Sequence, residues 1–144
     1  MAKLIRVSNI EPESYEPPLK SRRGIDEKRS KVTYDTGYDN GKKPRLTMSR
    51  TMIPAGAENQ RHYHVKCDAG VHLLSGRLRM FFGPPHKEEQ ADVEAGDFVF
   101  VPQGEIHGLI NLSKTEPAEL ISCYGGVSYW EEAETIFLEP PRKK

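Results

Sequence analysis

The sequence predicts an all-β fold in which many short strands close into a jelly-roll barrel. From residue 45 onward, short runs rich in Val, Ile, Leu, Phe and Tyr are separated by turns that contain Gly or Pro. The run Arg77–Phe82 alternates charged and apolar side chains, as expected of a strand with one buried face. No stretch has a convincing helical period. Many short strands at this spacing are typical of a sandwich or a jelly roll.

Each predicted strand is bounded by turn residues, such as Pro54-Ala55-Gly56 and Gly83-Pro84-Pro85. Late in the chain, residues 130–136 could form a single helical turn. The strands are predicted at residues 46–53, 60–65, 70–74, 77–82, 92–94, 97–101, 107–112 and 118–124.

The length of 144 residues fits one domain. Residues 1–44 differ in composition and form a predicted N-terminal arm, followed by the barrel domain at residues 45–144. The arm has little clean alternation, although residues 31–34 could be a short strand. It is either loosely ordered or crosses to a second subunit and supplies an edge strand there.

Composition excludes several function classes. The 21 basic and 21 acidic residues balance, so no nucleic-acid partner is expected. No apolar run is long enough to span a bilayer, and the N-terminus turns polar at Ser8, too early for a signal peptide. We therefore expect a cytoplasmic protein with no membrane partner. Its two cysteines, Cys67 and Cys123, are expected to be reduced.

Two clusters of residues indicate metal chemistry. In the first, His62 and His64 alternate with Tyr63, so the two imidazoles of a strand would share one face at a spacing of about 6.6 Å. In the second, a predicted strand is followed by a Pro-Gly turn and by a new strand that begins with His107. The spacing of His62 and His64 suits two imidazoles that converge on one ion.

The two clusters resemble the paired motifs of the cupin superfamily. The first motif runs Gly, five residues, His-x-His, three or four residues, Glu, six residues, Gly. The second runs Gly, five residues, Pro-x-Gly, two residues, His, three residues, Asn. The matching positions are Gly56, His62, His64 and Gly76 for the first motif, and Gly96, Pro102, Gly104, His107 and Asn111 for the second.

This resemblance implies a cupin jelly-roll barrel, also described as a double-stranded β-helix. It further implies one divalent metal ion inside the barrel, bound by His62, His64 and His107. Imidazole suits Zn, Cu, Fe and Ni. The family's glutamate position falls on Ala69, which cannot bind a metal, or on Asp68 with the shorter spacing. A one-residue slip turns a strand side chain to the other face, which favours a site of three histidines.

Other polar residues near the motifs have less defined roles. His72 is expected on the opposite face from Ala69, at the surface or behind the ligands, and His86 in a loop. Ser122 and Tyr124 could point into the barrel together. Arg50 and Met52 share a face and could line the pocket. Cys67 could lie behind the ligands, whereas Tyr63 should face outward. No residue is assigned a catalytic role.

Three neutral ligands would leave an octahedral ion with three open positions. A small chelating organic substrate could take two of them and dioxygen the third, which predicts a non-haem dioxygenase with Fe as its metal. A redox-neutral lyase, decarboxylase or isomerase using Zn, Ni or Mn is the alternative. A binding domain without turnover is a third possibility. We expect a homodimer, in which the N-terminal arm could take part.

Overall fold

The computed structural model describes residues 2–32 and 43–142. In these ranges the chain forms β-strands and short 3₁₀ segments, and no helix is long and apolar enough to cross a membrane. The 3₁₀ segments are Val7–Asn9, Pro85–Lys87 and Trp130–Ala133. The strands are β1 (Lys20–Ile25), β2 (Leu46–Ile53), β3 (His62–His64), β4 (Ala69–Ser75), β5 (Arg77–Phe82), β6 (Glu89–Glu94), β7 (Phe98–Val101), β8 (His107–Asn111), β9 (Ala118–Gly125) and β10 (Thr135–Phe137).

The strands form two five-stranded antiparallel sheets. One has the order β1-β2-β9-β4-β7 and the other the order β10-β3-β8-β5-β6. The chain moves back and forth between the sheets, so that sequence neighbours such as β2 and β3 lie in different layers. This arrangement confirms the predicted all-β jelly roll.

The strands predicted between residues 46 and 124 are all present, with ends shifted by a few residues. Two strands were not predicted. β1 is rich in Lys, Arg and Ser and lacks apolar alternation, and β10 is only three residues long. The predicted helical turn at residues 130–136 divides into the 3₁₀ segment Trp130–Ala133 and strand β10. The possible strand at residues 31–34 lies partly outside the described residues.

The apolar core lies between the sheets, where Ile53, Leu73 and Leu78 have no exposed surface. Along β2 the inward residues are mainly short hydroxyl side chains, since Thr47, Ser49 and Thr51 are buried and alternate with exposed or half-buried positions. The expectation that Arg50 and Met52 line the pocket is therefore wrong. Arg50 faces outward and forms a 2.5 Å ion pair with Glu119 on neighbouring β9.

The motif glycine at position 76 has a steric reason. Gly76 has a φ of +86°, which strains any L side chain, and it forms the tight turn between β4 and β5. A Cβ atom placed there would lie only 2.7 Å from the Cβ of Ala118. The turn between β4 and β5 therefore requires glycine.

The N-terminal arm packs on the barrel of its own chain. Strand β1 pairs with β2 as the edge of the first sheet, and Leu19 and Ile10 are almost fully buried. Before β1 the arm is tied back on itself, because Glu13 and Ser21 exchange backbone hydrogen bonds of 2.7 and 2.8 Å. The arm thus reaches the interior of the barrel. An exchange of the arm between subunits remains a prediction.

Candidate metal centre

Three histidines meet where the second sheet faces the interior. His62 begins β3, His64 ends it, and His107 begins β8 as the register partner of His62. All three are buried, and they offer one ring nitrogen each, with these nitrogens within 4.8 Å of one another. Because alternate residues of a strand share a face, β3 presents two imidazoles and the adjacent strand the third. The structure therefore brings together the three predicted metal ligands.

Hydrogen bonds orient the imidazole rings. Nδ1 of His62 lies 2.8 Å from the Gln60 carbonyl, and Nδ1 of His107 lies 2.9 Å from the Glu105 carbonyl. A carbonyl oxygen only accepts, so Nδ1 carries the hydrogen in both rings and Nε2 keeps a free lone pair in the neutral form. Nδ1 of His64 is held by the Thr135 hydroxyl at 2.9 Å. Such supporting bonds are typical of histidines that bind metals.

Burial keeps two of these imidazoles neutral. Desolvation, followed by the neighbouring histidines and Arg23, lowers the pKa of His64 to about 2. Desolvation is also the main reason that the pKa of His107 falls to about 3. The two rings therefore hold their metal-binding form throughout the physiological range.

This burial predicts that the metal-free protein becomes less stable as the pH falls below about 6.5. Unfolded histidines take up protons near that pH, whereas folded His64 and His107 remain neutral to far lower values. The unfolded state then binds more protons, so acid shifts the equilibrium towards it. Urea unfolding of chelator-treated protein at about pH 7.5 and about pH 5.5 measures the effect.

Two glutamine variants provide the comparison. His64→Gln removes a buried titrating group and should reduce the pH dependence. His86→Gln should leave it unchanged, because His86 is exposed in the 3₁₀ segment Pro85–Lys87. Equal midpoints at both pH values in the unmodified protein would contradict the prediction.

The remaining candidate ligands lie outside the cluster. The Asp68 carboxylate is exposed and accepts a 2.9 Å hydrogen bond from the Gln103 backbone N–H. Ala69 is buried and lines the cavity, as the strand phase predicts. His72 is half-buried, with its ring against the exposed Phe98 ring at a centroid distance of 4.3 Å. Neither Asp68 nor His72 therefore completes the histidine set.

The histidines line one side of a small internal cavity with about 60 Å³ of free space. That is room for a few water-sized groups. Ser122 and Tyr124 of β9 line it, as their phase predicts. Burial raises the pKa of Tyr124, so its phenol stays protonated. The rest of the lining is mixed, with apolar Val71, Met80, Leu109 and Leu120 beside polar Ser21, Thr51 and Asn59.

The sequence analysis missed two charged residues in this cavity. The Glu16 carboxylate of the arm lies 3.1 Å from Nε2 of His62. Arg23 of β1 is 3% exposed, and its guanidinium donates a 3.2 Å hydrogen bond to the Ser49 hydroxyl. Its Nε is buried without a hydrogen-bond partner. Both residues belong to an arm that carries no recognisable motif, so residue spacing offered no signal for them.

The two antiparallel sheets and the three inward histidines place the protein among jelly-roll proteins with a candidate metal centre. The family model for the Cupin domain matches residues 49–124, more than half of the chain. The chain therefore belongs to the cupin family. No curated protein matches the sequence.

Solved structures share this fold at low sequence identity. Lactobacillus farciminis oxalate decarboxylase, solved as a formate complex, superposes with a TM-score of 0.71 at 17% identity, covering 91% of this chain and 34% of that one. An oxalate oxidase in complex with the substrate analogue glycolate gives 0.56 at 21%, with 65% and 46% covered. KdgF from Halomonas sp. gives 0.65 at 14%, with 88% and 94% covered. The chain thus spans under half the length of the two oxalate enzymes.

Proposed function

We propose that His62, His64 and His107 hold one divalent metal ion and that the protein is a metal-dependent enzyme acting on a small chelating organic molecule. The observation that carries this proposal is the convergence of three buried ring nitrogens within 4.8 Å. The donor set fits the ion, because neutral imidazoles suit Fe, Zn and Ni. Mn is a further candidate. Bound in the barrel, such an ion would supply Lewis-acid or redox chemistry.

The cavity favours a small, negatively charged substrate. Its free space of about 60 Å³ admits only a molecule of a few heavy atoms unless the walls move. Arg23 remains charged when buried. Its side chain lines the cavity, and its Nε has no hydrogen-bond partner. A carboxylate is the natural partner of such a guanidinium. The oxalate, formate and glycolate named for the structural neighbours are molecules of this class.

For the reaction type, the first candidate is oxygen-dependent turnover by a non-haem dioxygenase containing Fe. Three imidazoles leave enough open positions for both a chelating substrate and dioxygen. The second candidate is a redox-neutral lyase, decarboxylase or isomerase with Zn, Ni or Mn. The Glu16 carboxylate beside His62 favours this alternative, because a fourth ligand would leave fewer positions open.

The two candidates are separated by measuring oxygen consumption. Protein purified without a metal-affinity tag is analysed for metal, reloaded with Fe(II), Mn(II) or Zn(II), and mixed with oxalate, glycolate or formate. Metal-dependent oxygen uptake supports the oxygenase, and product formation without oxygen supports the redox-neutral enzyme. Ligand binding with no product would make the protein a binding domain. Failure to bind either metal or small carboxylates would overturn the proposal.

We also propose a homodimer formed through the edge strand β7. Phe98 is 80% exposed and Phe100 is 67% exposed, so this edge presents an apolar surface that a second copy could cover. Sedimentation should give a dimer that Phe98→Ser together with Phe100→Ser converts to a monomer. A monomeric unmodified protein would exclude this contact.

A reducing compartment such as the cytoplasm is proposed for the same protein. Cys67 and Cys123 are both free thiols, and burial together with Asp68 raises the pKa of Cys67 to about 11. A thiol of that pKa is poorly reactive and suits a structural role. Thiol trapping in fresh lysate should find both cysteines reduced.

A further inference from the structure

The contact between Glu16 and His62 is chemically unusual. Nδ1 of His62 donates to the Gln60 carbonyl, so the neutral ring turns the lone pair of Nε2 towards the carboxylate oxygen 3.1 Å away. Two electron-pair donors that face each other at this distance repel unless a positive charge lies between them. A metal ion bound by both atoms would remove this repulsion.

The distance is that of two ligands on one ion. Imidazole nitrogen and carboxylate oxygen both bind at about 2.1 Å, so ligands at 90–109° around an ion lie about 3.0 to 3.4 Å apart. The separation of 3.1 Å between Nε2 of His62 and Oε1 of Glu16 falls in this range. From this contact with His62 we propose that Glu16, which lies outside the group of three ring nitrogens within 4.8 Å of one another, turns towards the ion as a fourth protein ligand supplied by the N-terminal arm. The inference rests on the proposed metal-dependent function.

The arm holds Glu16 in a defined position. The Glu16 carbonyl accepts a 2.8 Å hydrogen bond from the N–H of Leu19, which is buried in the core. Tyr15, the residue before Glu16, stacks its ring on that of Trp130, with centroids 4.5 Å apart. The Glu16 side chain is only 18% exposed. The carboxylate is thus anchored at both flanks and aimed into the cavity.

Glu16 is the one carboxylate that lines the cavity among the described residues. Ala69 lines the same cavity from β4, but its methyl group offers no ligand atom. An anionic ligand from the arm would lower the charge of a divalent site with three neutral imidazoles from +2 to +1. It would also leave two open octahedral positions, enough for one chelating molecule.

The test measures Co(II) affinity and absorption of the full chain, independently of any turnover. Glu16→Gln preserves shape but removes the anionic ligand. We expect its Co(II) affinity to fall at least about tenfold, because residues that only orient metal ligands already contribute roughly 10- to 100-fold. Its Co(II) spectrum should change with the ligand set. Glu11→Gln, at an exposed position of the same arm, should match the unmodified protein in both measurements.

A double variant tests the role of the charge. Glu16→Gln combined with Ala69→Glu moves the carboxylate from the arm to β4, and recovery of affinity would support a ligand role for Glu16. If Glu16→Gln binds Co(II) with unchanged affinity and spectrum, Glu16 is not a ligand and the proposal is overturned. Loss of Co(II) binding in His107→Ala but not in Glu16→Gln would refute the fourth ligand alone. No Co(II) binding by the unmodified protein would refute the metal-dependent function itself.

Discussion

Replacing His107 with alanine is expected to reduce metal affinity by at least about a hundredfold, more than the loss of a residue that only orients a ligand. The imidazole is buried and oriented by its hydrogen bond to the Glu105 carbonyl, and it supplies one of the three converging ring nitrogens, so alanine removes a ligand that is already in place. Single alanine variants of His62 and His64 should behave alike. Metal content after equilibration with one equivalent of ion and a competing chelator provides the measurement.

The matched controls are the two histidines outside the cluster. His86→Ala alters an exposed residue, and His72→Ala removes a half-buried ring that lies against Phe98, outside the cavity lining. Both should retain full metal content. Thermal unfolding of each metal-free variant distinguishes loss of a ligand from loss of the fold. Full occupancy in His107→Ala would refute the assignment of the site.

The position of the histidines could be predicted from sequence because two local properties determine it. Strand alternation places His62 and His64 on one face, and the Pro-x-Gly turn brings His107 to the start of a neighbouring strand. In the structure, Gly104 of that turn has a φ of +83° and donates a 2.9 Å hydrogen bond to the His64 carbonyl. The spacing in the motif thus corresponds to a direct backbone contact between the two clusters.

The phase of β2 was misjudged for a physical reason. Sequence reasoning took large side chains as candidates for the pocket, whereas the barrel interior beside the site is lined by hydroxyl groups. Ser21 and Thr51 are buried and share a 2.7 Å hydrogen bond between β1 and β2. Each hydroxyl can be buried because the other satisfies it. Such pairing depends on β1, which lacks an apolar pattern and was not predicted.

Glu16 and Arg23 lay beyond sequence reasoning for a different reason. Neither has a fixed spacing to the histidines. Contacts with residues that are distant in the sequence bring them to the cavity. The Arg23 guanidinium lies over the Trp130 ring at 4.8 Å, and Tyr15 stacks on the same ring. Trp130 belongs to the C-terminal 3₁₀ segment, so the two ends of the chain together position the charges of the site.

Replacing Asp26 with alanine is expected to lower the free energy of unfolding by about 3 kcal/mol or more. The Asp26 carboxylate has no exposed surface. It accepts backbone hydrogen bonds from Lys28 at 2.9 Å and Arg29 at 3.1 Å within the arm, and from Trp130 at 2.8 Å near the other end of the chain. Alanine would leave three N–H groups without their acceptor, two of them in the arm and one at the residue that supports Arg23.

The midpoint of urea unfolding measures this loss, and two further variants define its origin. Asp26→Asn keeps the size of the side chain and one oxygen, but turns an amide donor towards an N–H group, so its stability should lie between that of alanine and that of aspartate. Asp92→Ala removes a surface carboxylate paired with Arg79 at 2.7 Å and should change the midpoint little. If Asp26→Ala were as stable as Asp92→Ala, the arm would be held by its apolar contacts and Asp26 would not be its anchor.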